Sequence, residues 1–384
     1  MIGSVKIALL TNLVAPYRRA AFNALAARAK SVAASCHVIC TDPNETQHIW
    51  PTKPVQFHCH PLTGIRVPLG ENRRLSFNFG LPRTLSRITP NVLILSGFGP
   101  TMWRAQNWAK QYYIPTVLYF DGWHGSDSAY DNIARRFVRR TMIKQADGFI
   151  AAGTRGKQWF EAFGVPANHI TIAPIPTSFT PPNTDLPDFD QHRFDQHRFD
   201  QRPYDLLWCG RTTTAKGFET FLHTARMLKS HRAIYKVGIV GALETSTVAQ
   251  QVAAVGLSDI TDIHPLLPPD QLPEFLTRAK LCLFPSHNDA YGVAVIDAIS
   301  CGALVLASTE VGCAVDVLTP AQIHTPDAPA NWATACQTLL SDPNNWNQIR
   351  HAQSANISNN TPQHHANAIW QAADMARHRL GTAA

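Results

Sequence analysis

The sequence predicts an α/β protein built from two parallel-sheet domains, and three observations carry this. The 384 residues exceed one average domain and divide naturally into two of roughly 150–200. Short apolar runs alternate with segments of helical period, the pattern of a parallel sheet covered on both faces. That alternation breaks down once, between Pro174 and Pro203, and then resumes. The expected domains are therefore 1–176 and 204–384, joined by a linker at 177–203.

In the first domain, residues 5–10 read as a strand, followed by a loop and a helix over 16–29 with Pro16 in its first turn. Further strands are expected at 36–41, 55–59, 92–95, 116–120, 148–152 and 170–173. Helices are expected at 103–111, 130–145 and 154–163. The linker carries prolines 174, 176, 181, 182, 187 and 203, and repeats Phe-Asp-Gln-His-Arg at 189–193 and 194–198. A period of five suits neither helix nor strand, which leaves an expanded, solvated segment. The second domain opens with a strand at 205–209 and continues at 236–240, 281–284 and 303–307, with a weaker strand at Ile263 or Ile323. Helical segments at 331–340 and 345–380 close the chain. Trp370 and Met375 suit packing on either domain.

Hydrophobic residues at 45% supply ordinary globular cores. The 34 Lys and Arg against 27 Asp and Glu give +7, which favours anionic partners. The basic residues lack the interleaved stacking aromatics of a nucleic-acid binder, which weakens that reading, and no nucleic-acid partner is expected. Eight cysteines contain no Cys-x-x-Cys pair, as expected of a reduced, cytoplasmic protein. The N-terminal apolar run is too short for a signal peptide, and no run is long enough to span a bilayer.

Two stretches carry the chemistry. The strand at 205–209 runs into Gly210-Arg211-Thr-Thr-Thr-Ala-Lys216-Gly217 and then a helix over 218–228. Arg211 offers a planar fork for phosphate oxygens, Lys216 a point charge, and the helix N-terminus further positive potential. The Walker phosphate loop is absent, and no Asp-x-Asp follows a predicted strand, so no metal is expected. The second stretch is Phe284-Pro-Ser-His-Asn-Asp289-Ala-Tyr291-Gly292-Val293-Ala-Val-Ile-Asp297-Ala-Ile-Ser-Cys-Gly302. A buried strand empties into a polar turn and a helix over 291–300. Positions eight apart lie about 80° apart around a helix, so Asp289 and Asp297 are expected to look into one crevice at the strand's carboxyl end. A helix cap at Asp289 and a surface Asp297 is the plainer alternative.

Together these stretches resemble the donor site of the family 4 retaining glycosyltransferases, which have the GT-B fold. Pro285, Ser286, Gly292, Ala298 and Gly302 match that signature, with Asp289 and Asp297 standing where the family has Glu. Gly210-Arg211 and Lys216-Gly217 match its diphosphate motif. The resemblance covers 205–316 well and the first domain weakly. It implies two Rossmann-like doubly wound domains facing across a cleft, with the last helix crossing back to the first domain. It also implies a retaining transfer from a nucleotide-diphospho-sugar, with no other cofactor. Arg211 and Lys216 would stabilise the departing diphosphate, Asp289 would hold sugar hydroxyls and Asp297 the ribose diol. Gly210, Tyr291, Gly292 and Val293 would border the donor. A nucleotide-sugar epimerase of the same fold is one rival reading. A sugar-nucleotide-binding protein of weak catalysis is another, favoured by the two Asp-for-Glu changes.

On the acceptor side, Ala15-Pro-Tyr17-Arg18-Arg19 resembles the family's Pro-Tyr-Arg loop. Asp121 or Phe120 stands where relatives place a sugar-facing His, with His124 a few residues later. Helix 130–145 places Arg135, Arg136, Arg139 and Arg140 opposite Ile133, Ala134, Phe137, Val138 and Met142. This basic face is either simply solvated or a dock for anionic lipid. The resulting expectation is a peripheral protein of the inner membrane face. Its acceptor would be a saccharide or a polyprenyl-diphosphate-linked sugar used in surface polysaccharide biosynthesis.

Overall fold

A computed structural model describes residues 4–42, 54–68, 74–128, 132–179 and 199–382. The repeats at 189–198 and residues 130–131, the expected start of the basic helix, lie outside them. The chain divides into two compact units, one of residues 1–176 with 361–384 and one of residues 177–360.

The first unit is a seven-stranded parallel sheet. Its elements are β1 (Lys6–Thr11), α1 (Pro16–Ser31), β2 (Ser35–Cys40), β3 (His58–Pro61), the antiparallel hairpin β4 (Gly64–Pro68) and β5 (Arg74–Asn78), α2 (Leu81–Ile88), β6 (Val92–Ser96), α3 (Pro100–Gln111), β7 (Thr116–Phe120), α4 (His124–Ser128), α5 (Ile133–Gln145), β8 (Gly148–Ala151), α6 (Thr154–Ala162) and β9 (Ile170–Ile172). The order β3-β2-β1-β6-β7-β8-β9 reverses direction between β1 and β6, which opens a crevice at their carboxyl ends. Strand β1 is buried on both faces, as parallel strands are, and pairs Ile7 with both Cys36 and Val92.

The second unit holds β10 (Tyr204–Cys209), α7 (Phe218–Ser230), β11 (Val237–Ala242), α8 (Thr245–Ala254), β12 (Thr261–Pro265), α9 (Leu272–Leu276), β13 (Ala279–Phe284), α10 (Val293–Ser300), β14 (Leu304–Ser308), α11 (Ala314–Val317), β15 (Ile323–His324), α12 (Pro329–Ser341) and α13 (Pro343–Asn356). All pairings are parallel, in the order β12-β11-β10-β13-β14-β15, so the reversal falls between β10 and β13. Both weak strand candidates, Ile263 and Ile323, are strands, at β12 and β15. Trp208, Phe218, Phe221, Trp332 and Trp346 fill the core on one face of this sheet. Phe199 and Arg202, read as the end of the linker, are bound into this unit. Phe199 packs edge-on to Trp346 with ring centroids 5.3 Å apart, and Arg202 donates to the Ala279 carbonyl at 2.6 Å.

The expected helix 345–380 is two. Helix α13 ends at Asn356, and α14 (Pro362–Thr382) belongs to the first unit, where it packs on α1. Ala366, Ile369, Ala372, Ala373 and Ala376 form its inward stripe against Phe22, Leu25 and Tyr119. Their small side chains let the helix ride close enough for Ala372 and Ala376 to crowd Gly148 on β8.

Helix α5 corrects the sequence reading of its two faces. Arg139 is only 2% exposed, and both its terminal nitrogens bond the carboxylate of Asp127 on α4. Arg135 approaches the same carboxylate at 3.3 Å, and the Trp159 indole donates to it at 3.3 Å. Ile133 and Phe137, expected inside, are 86% and 64% exposed. The physical cause is the carboxylate on α4, which draws Arg139 inward over the rings of Trp159 and Phe98. The buried stripe of α5 therefore runs through Arg139, Met142 and Ile143.

Candidate active site

At the carboxyl edge of the second sheet, the turns after β10, β13 and β14 are stitched together. The chain leaves β10 through Gly210 and Arg211 into a 3-10 turn, Thr214–Lys216, and enters α7 at Gly217. Gly217 has φ +75°, and a Cβ there would lie 1.8 Å from the carbonyl oxygen of Pro285. Only glycine lets these two turns touch so closely. The backbone N–H of His287 donates to the Ala215 carbonyl at 2.9 Å, which joins the turns a second time.

This approach brings the two sequence motifs into direct contact. Lys216 Nζ lies 2.6 Å from Asp289 Oδ2, with both groups partly open to solvent. Asp289 is held from behind by the turn after β14. Its N–H donates to the Glu310 carbonyl at 3.0 Å, and its own carbonyl accepts from Gly312 at 3.2 Å. The part played by this Glu310–Cys313 turn comes from a contact between segments some twenty residues apart along the chain. Arg211 is half-buried on the same turn as Lys216. Gly292 (φ +97°) is the N-cap of α10 and Val293 its first residue, so the positive end of the helix lies here. The arrangement sets a cation, a carboxylate and a helix N-terminus at the sheet's point of reversal, suited to a phosphorylated, hydroxyl-rich ligand.

Two predicted donor contacts sit differently from expectation. The Tyr291 side chain is 5% exposed, and its hydroxyl accepts from Asn360 Nδ2 at 2.9 Å, so the ring serves the unit's packing. Asp297 is 4% exposed and takes the N–H of Ser178 on Oδ1 at 2.8 Å. Burial pushes its carboxyl up to about 7, against the opposing pull of the Ser178 N–H. The preceding apolar residues of α10, Val295 and Ile296, are fully buried and carry Asp297 inward with them.

In the first unit, Arg18 and Asp121 are brought together at the carboxyl ends of β1, β6 and β7. Arg18, the third residue of α1, bonds Asp121 and donates to Thr11 Oγ1 at 3.0 Å and Ser96 Oγ at 2.8 Å. Burial disfavours its charge, but Asp121 and the neighbouring tyrosines Tyr17 and Tyr119 outweigh this and hold it protonated. Tyr119 lies under the guanidinium and reaches His365 Nε2 at 3.3 Å, while His365 Nδ1 contacts the Pro174 carbonyl at 2.9 Å. His365 gave no signal in the sequence, because its partners are far away along the chain. His124 does not join this cluster. It starts α4 and lines a separate cavity of about 570 Å³ with Arg136, Arg140 and Lys144 of α5.

The family described as Glycosyltransferase Family 4 matches residues 23–177, and Glycosyl transferases group 1 matches residues 189–361. The D-inositol 3-phosphate glycosyltransferase of Thermobispora bispora is 25% identical over 150 residues, 36% of this chain and 35% of that protein. The protein of the same description from Nocardiopsis dassonvillei is 24% identical over 249 residues, 60% of this chain and 54% of its own. The chain thus spans about a third to about half the length of these curated relatives. Among solved structures, Anabaena HepE in complex with UDP superposes with a TM-score of 0.71 at 13% identity, covering 96% of this chain and 99% of that one. The lipopolysaccharide outer core galactosyltransferase WaaB gives 0.65 at 13% identity, covering 96% and 99%.

Proposed function

Because the chain belongs to the family 4 glycosyltransferases of the GT-B fold, we propose that it transfers a sugar, with retention of configuration, from a nucleotide-diphospho-sugar. The observation that carries this reading is the Lys216–Asp289 pair, which joins the two donor motifs at the reversal point of the second sheet. As the bond between sugar and diphosphate breaks, negative charge grows on the departing phosphate. In this reading the Lys216 ammonium, the Arg211 guanidinium and the N–H groups at the start of α10 receive that charge. They take the part a metal plays elsewhere. Asp289, beside Lys216, would accept hydrogen bonds from sugar hydroxyls, and a buried Asp297 would meet the ribose diol.

UDP is the favoured nucleotide, since HepE is described in complex with UDP, with UDP and glucose, and with UDP-glucose. For the acceptor we infer a lipid-linked saccharide at the inner membrane face, in surface polysaccharide synthesis. No helix among the described residues is long and apolar enough to cross a membrane. The test is a melting screen against UDP, ADP and GDP, followed by donor hydrolysis in water. A ligand at 100 times its Kd adds about 2.7 kcal/mol. Stabilisation by UDP with release of free sugar is expected. No response to any nucleotide would refute the reading.

A further inference from the structure

The cavity between α4, α5 and α6 is lined by none of the residues of the Lys216–Asp289 pair or the Arg18–Asp121 cluster. Arg136, Arg140 and Lys144 line it from α5, His124 from α4, and Trp159 with Phe163 supply an apolar wall. The described carboxylate in its lining, Asp127, is already engaged by Arg139 and Arg135. The cavity therefore presents net positive charge beside aromatic surface, which suits a phosphate carried on an apolar body.

Helix α5 says where that body lies. At 100° per residue, Ile133, Arg136, Phe137, Arg140 and Lys144 fall within about a third of the helix circumference. All five are exposed. The outward stripe thus sets two large apolar side chains, Ile133 and Phe137, among three cations, with the cations Arg140 and Lys144 towards its end. Ile133 and Phe137, 86% and 64% exposed and one turn apart, form an apolar spot directly beside the cations. A bilayer interface uses both halves, since rings and aliphatic groups enter the headgroup zone while cations meet lipid phosphate.

Resting on the membrane reading above, we propose that α5 docks on an anionic bilayer, Ile133 and Phe137 inserting while the α4–α5–α6 cavity holds one lipid phosphate. This assigns the dock to α5's outward stripe and excludes Arg139, which serves Asp127.

The test is flotation of the full chain with vesicles of phosphatidylglycerol and phosphatidylcholine, against phosphatidylcholine alone. Two double variants probe the two halves: Ile133→Ser with Phe137→Ser, and Arg140→Glu with Lys144→Glu. Wild type is expected to float only with the anionic vesicles, and each variant to lose about tenfold or more in partitioning. The melting shift produced by UDP, read on the same samples, is expected to stay unchanged. Flotation of either variant at the wild-type level, or no flotation of wild type, overturns the proposal. Partial displacement of wild type from the vesicles by millimolar glycerol 3-phosphate, which competes for the site of the headgroup phosphate, is expected, and flotation indifferent to it would overturn the cavity's part in docking. A chain that floats as expected but neither binds UDP nor hydrolyses a donor refutes the glycosyltransferase reading alone.

Discussion

Replacing Asp297 by Asn separates the electrostatics of this residue from its shape. Asn keeps the volume and the oxygen that accepts from Ser178, but removes the carboxyl whose ordinary value of 3.8 is raised to about 7. Between those values the unfolded chain has released a proton that the folded chain retains. Ionising the buried group thus costs nothing below pH 3.8, and the full cost is present above pH 7. The shift is roughly three units at about 1.4 kcal/mol each. Asp297→Asn should therefore stabilise by about 2 kcal/mol at pH 5 and about 4 kcal/mol at pH 8. For a unit of this size the latter is on the order of 10 °C in Tm. The assay is parallel melting of both proteins across that range, with UDP affinity measured on each. A gain that does not grow with pH would refute the reasoning, as would a loss of stability. Undiminished UDP affinity in Asp297→Asn would remove its proposed ribose role.

Other outcomes follow from the same contacts. His365, fully buried, has its pKa lowered to about 4, first by burial and then by Arg18. The unfolded state takes up this proton first as pH falls through 6.5. Roughly 3 kcal/mol should then be lost between pH 6.5 and 4, and His365→Gln should flatten melting curves in that window. Gly217→Ala meets both a positive φ and the Pro285 carbonyl, so it should cost about 2–4 kcal/mol by denaturant unfolding. An unchanged midpoint would mean the two turns can part freely. With Arg211 and Lys216 supplying the positive charge, donor turnover should survive a chelator. A strict need for magnesium or manganese would contradict that assignment.

The donor half was the more legible because its strands announce themselves. Leu206–Cys209, Leu281–Phe284 and Leu304–Ala307 are unbroken buried runs, and each empties into a turn of distinctive residues. Gly217 and Gly292 stood out in the sequence, and the structure supplies the reason, a positive φ and a crowded approach at both. Contacts between distant segments were less legible. Nothing local says that Lys216 meets Asp289, that Ser178 caps Asp297, or that His365 on the last helix returns to Tyr119. The hairpin β4–β5 and the short α4 escaped notice because five-residue elements carry too little periodicity. The faces of α5 were assigned by hydrophobicity alone, whereas a single carboxylate on a neighbouring helix decided them.

Stabilisation of a departing diphosphate by the turn bearing Arg211 and Lys216 is the step on which the proposed transfer depends. It is tested most directly by the initial rate of sugar release from a UDP-sugar with Lys216→Ala and Arg211→Ala, beside wild type of matched Tm. One charge-stabilising donor is typically worth about 3 kcal/mol in the transition state. Each variant should therefore turn over about two orders of magnitude more slowly while melting like wild type. Near-normal rates in both variants would contradict the claim.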